Sequence, residues 1–211
     1  MNSSIPHGGK LVNRLLDKNK SQKISEQLKD MLKININQDL AMDVEKIAIG
    51  SFSPLEGFMN KEDYISVINK NRLSNDILWS LPITLNTSEK EAEKFKEGDE
   101  IALINEENEA IATLNLEEKY KYNKKEEAEK IFGTLDENHP GVDHTYRLPP
   151  IILGGKINLI KRLDSKFKDM ELTPEETREF FRKERWNTIV AFHTRNPPHK
   201  AHEFIQKAAL E

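Results

Sequence analysis

The spacing of apolar residues changes along the chain, and each change marks an element. Ile24, Leu28, Met31 and Leu32 recur at helical spacing from Ser21, which predicts an amphipathic helix. Asp39 to Ile49 predicts a second, with Leu40, Val44, Ile47 and Ala48 on one face and Gly50 placed to end it. Asn60 and Asp63 read as cap residues of a third helix that carries Tyr64, Val67 and Ile68. The period then drops to two. Ile77, Trp79, Leu81, Ile83 and Leu85 alternate with mostly polar neighbours, the mark of a half-buried strand. Glu97-Gly98-Asp99 is a turn, and Ile101 to Ile104 and Ala110 to Leu116 form a hairpin around Asn105 to Glu109. Tyr120 and Tyr122 continue the alternation, and Lys124 to Phe132 is a charged helix closed by Gly133.

Tyr146 to Pro150 is a candidate domain boundary, since its two consecutive prolines favour an extended connector. Ile151 to Ile160, kinked by Gly154-Gly155, can serve as the last strand of the first domain. Thr173-Pro-Glu-Glu176 has the form of a capping box with Pro at the first helical position, opening a helix to about Lys183. Thr188 to Phe192 is a β-branched apolar run that reads as a buried strand. Pro197 and Pro198 stop it, and from Lys200 the residues Ala201, Phe204, Ile205, Ala208 and Ala209 predict a helix with one buried face. Short helices with a small antiparallel sheet describe an α+β unit up to about residue 160.

Composition narrows the class. With 32% charged and 36% hydrophobic residues among 211, the chain suits one large or two modest globular domains. A net charge of −4 argues against a nucleic-acid binder, and no apolar run reaches membrane-spanning length. The absence of cysteine removes thiolate chemistry and disulfides. A cytoplasmic location is the expectation. The Lys/Glu-rich runs at Glu89 to Lys96 and Glu117 to Lys130 read as solvated faces, and Trp79 and Trp186 as core aromatics.

The chemistry gathers near the end. A strand, a tight loop and a helix present His193, Thr194, Arg195 and Asn196 at the strand's carboxyl end, where open α/β sheets bind ligands. His199 and His202, three apart, share a face of the helix start, whose free N–H groups attract anions. An Arg fork and two imidazoles beside such a helix suit an oxyanion. A three-His zinc site of His193, His199 and His202 has the right ligand count, but the spacing is not His-Glu-x-x-His and Arg195 would repel the cation. His7, His139 and His144 read as loop residues without a partner pattern. The Pro6-His-Gly-Gly-Lys10 turn is too short for a phosphate loop and reads as a flexible entry.

The block from His193 to Glu203 resembles the first active-site motif of the ATP sulfurylase (sulfate adenylyltransferase) family, which commonly has Gln at the position of His193. His199-x-x-His202 is similar to the H-x-x-H signature of nucleotidyltransferases. The resemblance extends through Pro6 to Arg14, Gly50 to Met59, Asp136 to Val142 and Leu172 to Arg178.

It implies a PUA-like β-barrel domain over 1–160 and, over 161–211, the beginning of an α/β Rossmann-like nucleotidyltransferase domain. The rest of that domain is expected beyond Glu211 or in another chain. The implied reaction turns ATP and sulfate into adenosine 5′-phosphosulfate and pyrophosphate, or the reverse, with Mg²⁺ on the nucleotide. His193 and Arg195 would hold sulfate. Thr194, Arg195 and Asn196 would surround the α-phosphate, and His199 and His202 would brace the triphosphate. A homo-oligomer is expected of the complete protein. The rival reading is a non-catalytic scaffold that keeps the PUA-like domain and an incomplete motif.

Overall fold

The structure is a computed structural model and describes residues 5–210. Helices are α1 (Lys18–Gln27), α2 (Gln38–Ala48), α3 (Lys61–Lys70), α4 (Glu89–Ala92), α5 (Lys124–Phe132), α6 (Pro140–Arg147), α7 (Pro174–Lys183) and α8 (Lys200–Leu210). Strands are β1 (Leu32–Asn35), β2 (Gly57–Phe58), β3 (Leu85–Thr87), β4 (Glu100–Ile104), β5 (Ala110–Lys121) and β6 (Ile151–Leu159). They build a six-stranded mixed sheet in the order β1-β4-β5-β6-β2, with β3 also on β6. Among the named strands β1 and β4 run parallel, and β5 and β6 pair antiparallel from Ala112↔Leu159 to Lys121↔Ile151. Among the described residues no ladder joins β1 to β2 or β3, so the hydrogen-bonded sheet stays open.

The main core packs against the sheet. The fully buried Ile101, Leu103, Ile111, Leu114, Leu153 and Ile157 meet Val44, Ile47 and Ala48 of α2 and Phe95 after α4. A second, smaller cluster sets Met59, Tyr64 and Val67 against Tyr120 and Ile152. Burial at this density makes each large-to-small change cost about 2–5 kcal/mol. The close approach of β2 to β6 depends on two glycines. A Cβ on Gly57 would lie 1.9 Å from the Gly155 carbonyl oxygen, and one on Gly155 would lie 2.1 Å from that of Asn115. Gly155 also has φ 154° and faces the register shift between Leu116 and Glu118, so the Gly-Gly kink is a bulge that re-aims the ladder.

Local signals account for most helix ends. The Asn60 side chain accepts the Asp63 amide at 2.9 Å, whereas Asp63 turns away to accept from the amide and hydroxyl of Ser74. Gly133, at φ 70°, closes α5, and Thr173 and Glu176 form a reciprocal capping box at α7.

Several expectations fail, each for a physical reason. The first helix ends at Gln27, and Leu32 instead opens β1, where the alternation Leu32, Ile34, Ile36 outweighs the helical spacing. The strand expected over 77–85 exists only as β3. Residues before it take irregular contacts, with the Trp79 amide on Asn71 oxygen at 2.9 Å, and Pro82 offers no donor. Residues 146–150 are not a boundary between domains, because β6 follows them into the centre of the same sheet. His139 is the N-cap of α6 and His144 lies within it, so neither is in a loop. The Gly-rich entry is held down: His7 Nε2 is 2.7 Å from the Leu78 carbonyl oxygen. The charged run from Glu117 is not wholly solvated, since Glu127 is buried.

Beyond β6, Arg162 donates to the buried Glu45 of α2 at 2.9 Å, and Leu163 N–H donates to the same oxygen at 3.3 Å. Asn13 Nδ2 donates to Glu175 of α7 at 3.3 Å. These bonds tie the segment leading to the last two helices onto the sheet domain. The expected strand over 188–192 is absent. Ile189, Val190 and Phe192 are exposed and take no ladder, because no described strand lies beside them to supply partners. The apolar face of α8 is likewise open, with Phe204 73% and Ile205 53% exposed. Trp186, expected in the core, is half exposed against Phe181 and Phe180.

Candidate functional site

The site residues lie on the stretch from 193 to 202, an exposed loop running into α8. Thr194 shapes the loop: its hydroxyl accepts the Asn196 amide at 3.1 Å and donates to the Asn196 carbonyl at 3.3 Å. That closed turn fixes the backbone around Arg195, whose guanidinium has no ion-pair partner among the described residues. Helix α8 opens two residues after Pro198, with His199 at the N-cap position.

There the two histidines meet. Their ring centroids are 3.9 Å apart at an interplanar angle of 36°, and Phe192 packs edge-on against His202 at 5.6 Å. His199 Nδ1 accepts the Ala201 amide at 3.3 Å, and His202 Nδ1 accepts the His199 amide at 3.2 Å. The arrangement is a variant of the capping box, in which His202 reaches back to the His199 amide while His199 accepts from Ala201 rather than from His202.

A backbone N–H can donate only to an unprotonated nitrogen, so in both neutral rings the proton sits on Nε2. Neither Nε2 has a hydrogen-bond partner among the described residues. The pair therefore offers two Nε2–H donors at the positive end of an 11-residue helix, with a guanidinium one loop away. That set suits a polyanion with several acceptor oxygens.

His193, Thr194, Arg195 and Asn196 fall where the sequence puts them, at the entry to α8, but on no buried strand. No hydrogen bond or ring contact joins His193 or Arg195 to the imidazole pair among the described residues. Two elements of the site escape periodicity: the imidazole caps and the edge of Phe192. The H-x-x-H spacing carries a signal for the first, since it matches the S/T-x-x-E/Q of an ordinary capping box. No group of three or more His, Cys, Asp or Glu that could hold a metal is found among the described residues. No described helix is long and apolar enough to cross a membrane.

Similarity to known proteins divides along the same line. The family model described as a PUA-like domain matches residues 4–162, and that described as ATP-sulfurylase matches 168–211. The sulfate adenylyltransferase of Halothermothrix orenii is 46% identical over 98% of this chain and 54% of its own length. That of Staphylothermus marinus is 44% identical over 97% of this chain and 53% of its own. A probable bifunctional SAT/APS kinase 2 of Sorangium cellulosum is 43% identical and is covered over 36% of its length. Among solved structures, a hexameric APS kinase from Thiobacillus denitrificans superposes with TM-score 0.78 at 23% identity, over 99% of this chain and 38% of that one. The chain thus spans about half the length of the curated sulfate adenylyltransferases it matches. By these matches it belongs to the PUA-like domain family, and from residue 168 it is similar to the family model described as ATP-sulfurylase.

Proposed function

We propose that the full-length protein is a sulfate adenylyltransferase, joining ATP and sulfate into adenosine 5′-phosphosulfate and pyrophosphate or running the reverse. The observation that carries this reading is the imidazole pair at the start of α8, inside the stretch matched by the ATP-sulfurylase model. We place the domain boundary at 160/161, with 161–211 as the beginning of a Rossmann-like nucleotidyltransferase domain. A cytoplasmic, homo-oligomeric protein fits this reading.

One sulfate oxygen attacks the α-phosphorus while pyrophosphate departs in line. Sulfate is fully ionised, so the step needs no general base; the barrier is bringing two anions together and holding charge as it moves. Arg195 and His193 hold sulfate. The turn Thr194-Arg195-Asn196 wraps the α-phosphate, and the Nε2–H donors of His199 and His202 brace the β- and γ-phosphates as charge flows to pyrophosphate. His193 brings one donor where the family's usual Gln brings two, so it grips sulfate with fewer bonds.

Mg²⁺ bound with the nucleotide would supply neutralising charge to the phosphate oxygens. The ion would be carried mainly by the nucleotide phosphates and water rather than by a cage of protein side chains. Arg195→Ala in the full-length protein tests the assignment. Pyrophosphate release should fall by more than about 100-fold with the fold intact. Near-normal turnover removes Arg195 from the chemistry.

A further inference from the structure

A sizeable cleft lies far along the chain from the α8 site. It encloses about 540 Å³ between α2, the segment before β3, and the α5–α6 pair. That volume is in the range of small-molecule pockets. Its walls are largely apolar, with Phe132 and Leu148 among them, and three carboxylates line it: Asp39 and Asp43 of α2 and Glu127 of α5. No lysine or arginine is among its lining residues, and its sole other titratable group is His144.

Asp39 lies in the first turn of α2, where its charge suits the helix dipole, but Asp43 gains no such support. Asp39 and Asp43 stand one helical turn apart, a like-charge spacing that weakens a helix. Asp43 is half-buried, yet it has no ion pair and no side-chain hydrogen bond among the described residues. Burial and the Asp39 charge both push its carboxyl up. Glu127 is 8% exposed and is held by the Tyr64 hydroxyl at 2.6 Å and the Thr145 hydroxyl at 3.4 Å, so its orientation is fixed before any ligand arrives. An apolar body with a cationic head would bury against Phe132 and Leu148 while its charge relieved the α2 repulsion.

We propose that this cleft is a binding site for a small organic cation, an ammonium on an aromatic or aliphatic body. It is independent of the oxyanion chemistry at α8.

A charge series on one body tests it: benzylammonium, benzyl alcohol and benzoate, titrated into the 211-residue chain and followed by amide chemical shifts. Benzylammonium should saturate, with shifts centred on residues 39–43, 84–86, 127–132 and 144–149. Benzyl alcohol should bind at least about tenfold more weakly, and benzoate not measurably. Asp43→Asn should weaken benzylammonium about tenfold while leaving the melting temperature unchanged or raised. Asp39→Asn, at an exposed position, repeats the test where folding is not at stake. Equal affinity for all three probes, shifts centred elsewhere, or full affinity in both variants would each overturn the proposal.

Discussion

Substituting His199 separates what that residue does for the helix from what it does for a ligand. Its Nδ1 caps α8 by accepting the Ala201 amide, and its Nε2 has no hydrogen-bond partner among the described residues. Serine is a favoured N-cap, so His199→Ser keeps an acceptor for the helix start and removes only the outward donor. His199→Ala removes both, at a capping cost of about 1 kcal/mol. A hydrogen bond to a charged phosphate contributes about 1.5–3 kcal/mol. Loss of the donor should therefore lower kcat/KM by about 10- to 150-fold.

The expected pattern is two-fold. Pyrophosphate release by the full-length protein falls in both variants, while amide exchange at the first turn of α8 quickens only in the alanine variant. Serine at wild-type activity within about threefold would mean that the ring is a cap and nothing more, and the proposed role in bracing phosphate would fall.

Three further outcomes follow from packing and charge. Glu127 is held above its ordinary value by burial, against the opposing hydrogen bonds of Tyr64 and Thr145. A carboxyl raised on folding supports stability below its unfolded value and loses that support as pH rises through the folded one. Glu127→Gln should thus gain on the wild type as pH rises above the ordinary glutamate value of about 4.3 in urea unfolding; a pH-independent difference would contradict the burial argument. Gly155→Ala meets the Asn115 carbonyl oxygen at 2.1 Å and should cost several kcal/mol, about 2–4, or abolish folding, read as a fall in the urea midpoint; an unchanged midpoint would mean the ladder can shift. Arg162→Ala leaves the Glu45 carboxylate buried without its guanidinium, at a cost of about 3–5 kcal/mol; Glu45→Gln in the same background should recover some of it.

How far the sequence could be read depended on whether the signal was local. The caps at Asn60, Gly133 and Thr173 are short-range chemistry, and the helices they bound are legible directly. β4 and β5 are legible for the same reason, since their alternation and turn lie in one continuous stretch. β1 and the missing strand at 188–192 are not, because a strand is settled by what lies beside it. Leu32 to Asn35 finds β4 some 70 residues away, and the equally apolar Thr188 to Phe192 finds no described partner. The site divides in the same way. Residue types and spacing gave His199 and His202, but their Nδ1 caps and the direction of Nε2 emerge only from coordinates. The α2 cleft was hidden altogether, because Asp39, Glu127 and His144 are brought together by tertiary packing, although the Asp39/Asp43 spacing was a readable oddity.

The placing of the two tryptophans has a practical consequence. Trp79 packs on Phe52 and His7 beside the sheet, while Trp186 stacks on Phe181 just after α7, so each reports on a different half of the chain. With Trp79→Phe or Trp186→Phe, a single fluorophore remains, and emission and iodide quenching can follow one half at a time. Non-coincident transitions from the two variants would reveal that the halves melt in separate steps, without any label being attached.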